Sequence, residues 1–144
     1  MRAAITPGAV RLEASIPSDV RLLAYISRLA QDTVRLVAAA EHADSVCATV
    51  DVCLTEAITN AIQHAHRSDA SRPLNVSIAV EAGVLTVRVF DTGPGFEMAR
   101  VPEPAFDELK EHGRGLFIIR NSMDSVAYRQ VPGGNMLEMS KKIG

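Results

Sequence analysis

Two neighbouring segments of alternating apolar and polar residues constrain the fold of this chain more than any other feature. Residues 74–80 and 84–90 each place an apolar residue at every second position, and Glu81-Ala82-Gly83 separates them. A period of two is typical of strands with one buried face, and a short connection containing glycine joins such strands as a hairpin. The sequence therefore predicts an antiparallel pair whose apolar face other elements must cover.

Three segments with helical spacing of apolar residues can supply that cover. They are residues 20–37, a segment from Asp44-Ser45 to about His66, and a segment from Leu116 to about Met123 that Gly113-Arg114-Gly115 opens. Serine and aspartate are favoured helix starts, which is why the second helix is expected to begin at Asp44-Ser45.

Three further strands complete the predicted elements, at 9–16, 125–131 and 136–142. The order of one strand, two helices, a hairpin, a helix and a hairpin predicts the α+β class. We expect a two-layer α/β sandwich, with a largely antiparallel, mixed sheet and the helices on one face. At 144 residues the chain fits a single domain, 1–144. The charged stretch at about 96–112 carries two prolines and is predicted to be a lid loop.

Composition excludes several classes of function. The net charge is −2, aromatic residues make up 4% and tryptophan is absent, so direct nucleic-acid binding is not expected. No apolar run reaches the ~20 residues of a membrane span, and the N-terminus does not resemble a signal peptide. Cys47 and Cys53 lie on different faces of the second helix, which argues against a disulfide and favours a reducing compartment. We therefore expect a cytoplasmic protein without membrane contact.

Glu56 and Asn60 interrupt the otherwise apolar second helix. They are four residues apart, which places them on one face about 6 Å apart along the helix axis. Taken alone, the pair fits the solvated stripe of an amphipathic helix equally well.

Two glycine-containing segments follow further along the chain. Asp91, Gly93 and Gly95 come directly after a predicted strand, and Gly113 and Gly115 precede the third helix. Glycine allows close approach of backbone to a ligand, and helix N-termini favour phosphate. A turn and a tight helix entry are the structural alternatives.

Other nucleotide and hydrolase motifs are absent from the sequence. No Gly-x-x-x-x-Gly-Lys-Ser/Thr or Gly-x-Ser-x-Gly segment occurs. The two Gly-x-Gly segments lack the third small residue of a dinucleotide fingerprint, since Met98 and Ile118 stand there. These classes are therefore excluded.

Three segments together resemble the N, G1 and G2 boxes of the Bergerat-fold ATPases. They read Glu-Ala-Ile-Thr-Asn-Ala-Ile-Gln-His-Ala (56–65), Val-Phe-Asp-Thr-Gly-Pro-Gly-Phe (89–96) and Gly-Arg-Gly-Leu-Phe-Ile-Ile-Arg-Asn-Ser-Met-Asp (113–124). The superfamily includes DNA gyrase and the histidine kinases, and within it the chain is most similar to the bacterial anti-sigma factor serine kinases. The resemblance covers nearly the whole chain and implies the same histidine-kinase-like ATPase fold.

The resemblance implies a role for each matching residue, with ATP and Mg²⁺ as cofactors. Glu56 would be the catalytic base, Asn60 a Mg²⁺ ligand and Asp91 the acceptor for the adenine amino group. The other nucleotide-binding positions would be Gly93, Gly95, Gly113, Arg114 and Gly115. For Arg114, contact with a phosphate and simple solvation remain equally open.

The resemblance also implies partners. The substrate would be a STAS-domain anti-sigma factor antagonist, the second partner a sigma factor, and the protein a homodimer. Histidine kinases usually carry asparagine where this chain has Glu56, which favours a serine/threonine protein kinase acting in trans. The alternative is a non-catalytic, ATP-gated binding module that holds a sigma factor or other regulator.

Two positions depart from the pattern or allow another interpretation. Related proteins often have threonine on the closing strands, where this chain has Asn135 and Met136; Asn135 can act as a polar partner, whereas Met136 cannot. His64 and His66 suggest a zinc site with Cys53, but structural zinc sites need four ligands at compact spacing. For His64 we expect a packing or supporting role.

Overall fold

The strands form one antiparallel sheet. A computed structural model describes residues 9–67, 69–94 and 111–144. Within these ranges the strands are β1 (Val10–Pro17), β2 (Pro73–Glu81), β3 (Val84–Asp91), β4 (Ser125–Val131) and β5 (Gly134–Lys142). They are hydrogen-bonded in the order β1-β2-β3-β5-β4, and every one of these pairings is antiparallel. The predicted α+β class is confirmed.

Three helices accompany the sheet in the described part of the chain. They are α1 (Leu23–Val37), which follows a 3₁₀ turn at Val20–Leu22, α2 (Ala40–Asn60), which continues into a π-turn at Ala61–Ala65, and α3 (Glu111–Ser122). The π-turn is closed by a bond from the His66 backbone N–H to the Ala61 carbonyl at 2.9 Å. Such turns add one residue to the helix ladder and are frequent at functional sites.

Two predicted helix starts are displaced in the structure. α2 begins at Ala40 rather than at Asp44-Ser45. The Asp44 carboxylate instead accepts a bond from Arg35 of α1 at 2.7 Å, so it pairs two helices and does not cap one. α3 begins at Glu111, so Gly113 and Gly115 lie inside its first turns and not ahead of it.

The core lies between the helices and the inner face of the sheet. β2 and β3 bury every second residue, as their alternation predicts. The fully enclosed apolar side chains come from all three helices and from the central strands: Ile26, Val34, Leu54, Ile58, Ile62, Leu74, Leu85, Val87, Ile119 and Met139. Burying each of the larger side chains contributes roughly 1.5–3 kcal/mol to the hydrophobic stabilisation.

The central position of α2 explains why this helix is so apolar. By length and composition alone, the stretch Glu41–Gln63 could cross a membrane, but half of its apolar window is buried inside the protein. α2 packs against α1 on one side and α3 on the other. Its buried residues are all apolar and serve the core, and its polar groups stand at exposed and half-buried positions.

Both hairpins turn through residues with left-handed backbone. In the β2–β3 turn, Ala82 and Gly83 have φ of 50° and 74°, as in the turns that suit twisted hairpins. In the β4–β5 turn, Pro132 is followed by Gly133 with φ of 87°. β5 consequently starts at Gly134, two residues earlier than predicted, and this brings Asn135 into the sheet.

Candidate functional site

Glu56 and Asn60 lie one turn apart near the end of α2, and both side chains are half-buried. The residues between them on the core side, Ala57 and Ile58, are 3% and 0% exposed. The helix is therefore anchored by its apolar face while the two polar side chains emerge at its edge. We call Glu56 and Asn60 the α2 polar pair.

Gly115 of α3 lies directly against the α2 polar pair. A Cβ atom built on Gly115 would stand 2.7 Å from Asn60 Nδ2 and 2.9 Å from Glu56 Oε2. Any side chain there would displace one of the two polar groups. The structure thus brings these three residues together, and the missing side chain at position 115 is what leaves the pair room.

A second cluster forms where β3 ends. Asn135 is the register partner of Asp91 across the β3–β5 ladder, and its Nδ2 donates to Asp91 Oδ1 at 2.9 Å and to the Gly93 carbonyl at 2.8 Å. The Gly93 backbone N–H donates to the same Oδ1 at 2.9 Å. Asp91 and Asn135 are 6% and 2% exposed. We call Asp91, Gly93 and Asn135 the β3-end cluster.

The bonds within the β3-end cluster use only one oxygen of the carboxylate. Among the described residues, both bonds to the Asp91 side chain end on Oδ1, and neither involves Oδ2. These bonds fix the orientation of the carboxylate without using its second oxygen. An acceptor held in this way suits a ligand that offers an N–H group.

Gly134 permits the close contact between β5 and the end of β3. A Cβ atom on Gly134 would collide with the Asp91 backbone oxygen and approach Phe90 Cζ to 2.9 Å. Met136 pairs with Phe90 and is half-buried, so its side chain lies on the opposite face of the sheet from Asn135. The methionine at position 136, where related proteins often have threonine nearby, therefore does not contact the β3-end cluster.

His66 joins this region, although no local sequence signal indicates its role. The ring is 1% exposed, with Nδ1 at 2.7 Å from Ser18 Oγ and Nε2 at 2.9 Å from the Thr92 backbone nitrogen. Since both ring nitrogens are engaged, neither is available to a zinc ion with Cys53. The contacts come from residues distant in sequence, which is why periodicity could not reveal them.

Cys53 lies near the α2 polar pair but is not a candidate nucleophile. Burial raises the pKa of its thiol, and the Glu56 charge raises it further, against a lowering by the Ser122 hydrogen bond and Lys141. A thiol with a raised pKa stays protonated at neutral pH, and the thiolate is the reactive form. Cys47 and Cys53 are both buried and unpaired.

Several predicted site residues lie outside what the structure describes. Gly95 and most of the predicted lid, residues 96–110, belong to this part of the chain, as do the side chains of His64 and Arg114. The backbone of Gly113 lies in the first turn of α3. The described site thus consists of the α2 polar pair with Gly115, and the β3-end cluster with His66.

Comparison with known proteins identifies the family. The family model described as histidine kinase-like ATPase domain matches residues 17–141. The serine-protein kinase RsbW of Oceanobacillus iheyensis is 32% identical over 100 residues, which cover 64% of this chain and 63% of the relative. The anti-sigma F factor of Anoxybacillus flavithermus is 31% identical over 99 residues, 65% of this chain and 68% of that protein. The chain thus spans less than two thirds of the length of the RsbW relative.

A solved structure shares the fold. The RsbU and RsbW domains of Rv1364c from Mycobacterium tuberculosis superpose with a TM-score of 0.66 over 93% of this chain and 32% of that one, at 14% identity. This likeness supports the sheet and helix arrangement described above. With a family model that matches most of its length, the chain belongs to the histidine kinase-like ATPase domain family.

Proposed function

We propose that this chain is an ATP-dependent serine/threonine protein kinase of a partner-switching system. Its substrate would be a STAS-domain anti-sigma factor antagonist, and it would also bind a sigma factor as an anti-sigma factor. Relatives named serine-protein kinase and anti-sigma F factor support both activities. The observation that carries the kinase assignment is the α2 polar pair held beside Gly115, because it combines a carboxylate base with a neutral oxygen ligand.

Glu56 is assigned as the general base. Its half-buried carboxylate would accept the proton of a serine or threonine hydroxyl as that oxygen forms a bond to the γ-phosphorus of ATP. The bond from that phosphorus to the bridging oxygen breaks, and ADP leaves. Gly115 lies against Glu56 Oε2 and adds no side chain to this contact.

Asn60 is assigned as a ligand of Mg²⁺. Its side-chain carbonyl is the type of neutral oxygen donor that this ion accepts along with water and phosphate oxygens. The ion, when bound, neutralises charge on the phosphates. Asn60 Nδ2 lies against Gly115 and the side chain is half-buried, so the amide is not enclosed in the core.

The β3-end cluster is assigned to the adenine. Oδ2 of Asp91 would accept from the adenine amino group, which ATP has and GTP lacks at that position. Asn135 and the Gly93 N–H hold the carboxylate for this contact. Gly95, Gly113 and Arg114 would complete the phosphate side, within a single domain whose predicted lid ends where α3 begins at Glu111. We also propose that the protein is a cytoplasmic homodimer.

The test is phosphoryl transfer from labelled ATP with Mg²⁺ to candidate STAS-domain proteins. Glu56→Gln keeps the size of the side chain but cannot accept the proton, so transfer should fall by roughly 10²–10⁴-fold while ATP still binds. Glu41→Gln removes an exposed carboxylate from the same helix and should leave the rate unchanged. Transfer by Glu56→Gln at the wild-type rate would show that the base is wrongly assigned. ATP that binds yet stays intact with every substrate would favour a non-catalytic binding module.

A further inference from the structure

His66 connects three segments of the chain that meet beside the β3-end cluster. It is the first residue after the π-turn, and its ring reaches Ser18 just after β1 and Thr92 just after β3. Ser18 is 3% exposed and its hydroxyl also donates to the Arg72 carbonyl at 2.5 Å. A buried imidazole with defined partners on both nitrogens is therefore built into this junction.

The partners fix the tautomer of the ring. A backbone N–H can only donate, so Nε2 of His66 must be the acceptor for Thr92. The ring proton consequently resides on Nδ1 and is donated to Ser18 Oγ, whose own proton goes to Arg72. This directed chain works only while the ring is neutral, because an imidazolium carries N–H groups at both positions.

Burial keeps the ring neutral. Burial lowers the pKa of His66 from its ordinary value of 6.5, and Arg72 lowers it further. Asp91 and Asp69 act in the opposite direction without outweighing the burial. At neutral pH the ring is thus in the form that accepts from Thr92.

The bond to Thr92 acts on the centre of the nucleotide-binding segment. Thr92 lies between Asp91 and Gly93, which Asn135 holds from the other side. Thr92 itself is exposed, so packing of its own side chain does not fix it. Its backbone is anchored by His66, with Thr92 Oγ1 also 3.1 Å from Nε2.

We infer that His66 is a positioning residue for ATP: by accepting the Thr92 amide it holds the Asp91–Gly93 segment in its binding conformation, and protonation of the ring releases that segment. This rests on the proposed assignment of Asp91 to adenine. The consequence is an ATP affinity that is constant above about pH 6.5 and falls in more acidic solution. The stability of the fold changes with pH in the same direction as the ATP affinity. The folded protein disfavours the proton, so the contribution of His66 is complete above the unfolded pKa and is lost as pH falls towards the folded one.

Two substitutions distinguish the roles of the two ring nitrogens. In His66→Gln the side-chain oxygen can take the place of Nε2 and accept from Thr92, but it does not titrate. In His66→Asn the shorter amide can replace only Nδ1, so the Thr92 bond is lost. Because a neutral hydrogen bond changes an equilibrium by roughly 3- to 10-fold, the two variants should differ measurably.

The experiment is calorimetric titration with a non-hydrolysable ATP analogue at about pH 7.5 and about pH 5.5. The wild type should bind more weakly at the lower pH, by less than the roughly tenfold that complete loss of a neutral hydrogen bond allows, because burial holds the His66 pKa below 6.5 and only part of the protein is protonated. His66→Gln should bind within about threefold of wild type at the higher pH and lose less affinity than the wild type at the lower pH, since only protonation of the analogue's phosphate then remains. His66→Asn should be weaker than the wild type at the higher pH. Thermal melts at the higher pH check that both variants fold.

The outcomes that overturn the inference are distinct. If His66→Gln keeps the wild-type pH dependence, or if folded His66→Asn binds like the wild type, His66 does not position the segment. If the wild-type protein binds no analogue at about pH 7.5, the proposed function fails, and this inference fails with it. Hydrogen exchange of the Thr92 amide should also quicken in His66→Asn without nucleotide, which reports the anchoring directly.

Discussion

Replacing Asn135 by aspartate tests the β3-end cluster directly, because it changes one buried donor into an acceptor. Asn135 Nδ2 lies 2.9 Å from Asp91 Oδ1, so the variant places two carboxylates about 3 Å apart. At an effective dielectric constant of about 20, their repulsion is roughly 5–6 kcal/mol. Keeping one carboxyl protonated at pH 7 costs only about 4 kcal/mol, from a reference pKa of about 3.9. Protonation is the cheaper solution, so we expect a destabilisation of about 4 kcal/mol at pH 7.

The destabilisation should depend on pH with a defined sign. The folded variant holds a proton that the unfolded chain releases, so its stability relative to wild type falls as pH rises from about 4 to 7. Near pH 4 the protonated carboxyl that Asn135→Asp introduces again offers a donor to Asp91. One proton cannot also serve the Gly93 carbonyl, which leaves a residual loss of about 1 kcal/mol.

Urea unfolding of both proteins at several pH values measures this difference. His66 titrates in both, so its contribution cancels to first order. Asn75→Asp is the matched control, since it adds the same charge at an exposed position of β2 and should change stability by less than about 0.5 kcal/mol. A gap between Asn135→Asp and wild type that is the same at every pH, or below about 1 kcal/mol at pH 7, would refute the reasoning.

Two further predictions concern glycines. Gly115→Ala pushes a methyl group into the α2 polar pair, so phosphoryl transfer should drop at least about tenfold. Thermal melts should show the unfolding free energy unchanged or raised by up to ~1 kcal/mol, because alanine favours helix. Transfer at the wild-type rate would contradict the packing described. Gly134→Ala sets a methyl group against the Asp91 backbone and should destabilise the fold by about 1–3 kcal/mol and weaken ATP binding. Its control is Gly133→Asn at an open turn position, which should cost less than about 1 kcal/mol and leave ATP affinity unchanged; equal effects of the two would argue against the contact.

Much of the fold can be predicted from local patterns. The predicted strands at 74–80 and 84–90 agree with β2 and β3 within one residue at each end, because one face of the sheet is buried and the other is not. The predicted start of α2 is wrong, since Asp44 has the chemistry of a cap but is used for an ion pair with Arg35. A carboxylate in either role has the same local sequence, and only the packing of α1 on α2 separates them.

In the candidate site, too, local patterns predict some contacts, and others depend on the tertiary structure. The spacing of Glu56 and Asn60 predicts their shared face, and the sequence also indicates Asn135 as a possible partner for the adenine site. For His66 the sequence suggests only a zinc ligand. Its partners Ser18 and Thr92 lie 48 and 26 residues away, so nothing in the local pattern indicates their contact. Relations of this kind depend on how the sheet brings the ends of β1 and β3 together.

The position of β5 has a consequence for how the site assembles. β5 is the last in chain order of the five strands that the structure describes, yet it lies inside the sheet between β3 and β4. Asn135 can reach Asp91 only after this strand has inserted, so the β3-end cluster cannot form on a partly folded sheet that lacks it. Nucleotide bound there would stabilise the native state by mass action and not an earlier intermediate. Nucleotide binding would then occur only late in folding, after the final strand has paired in register.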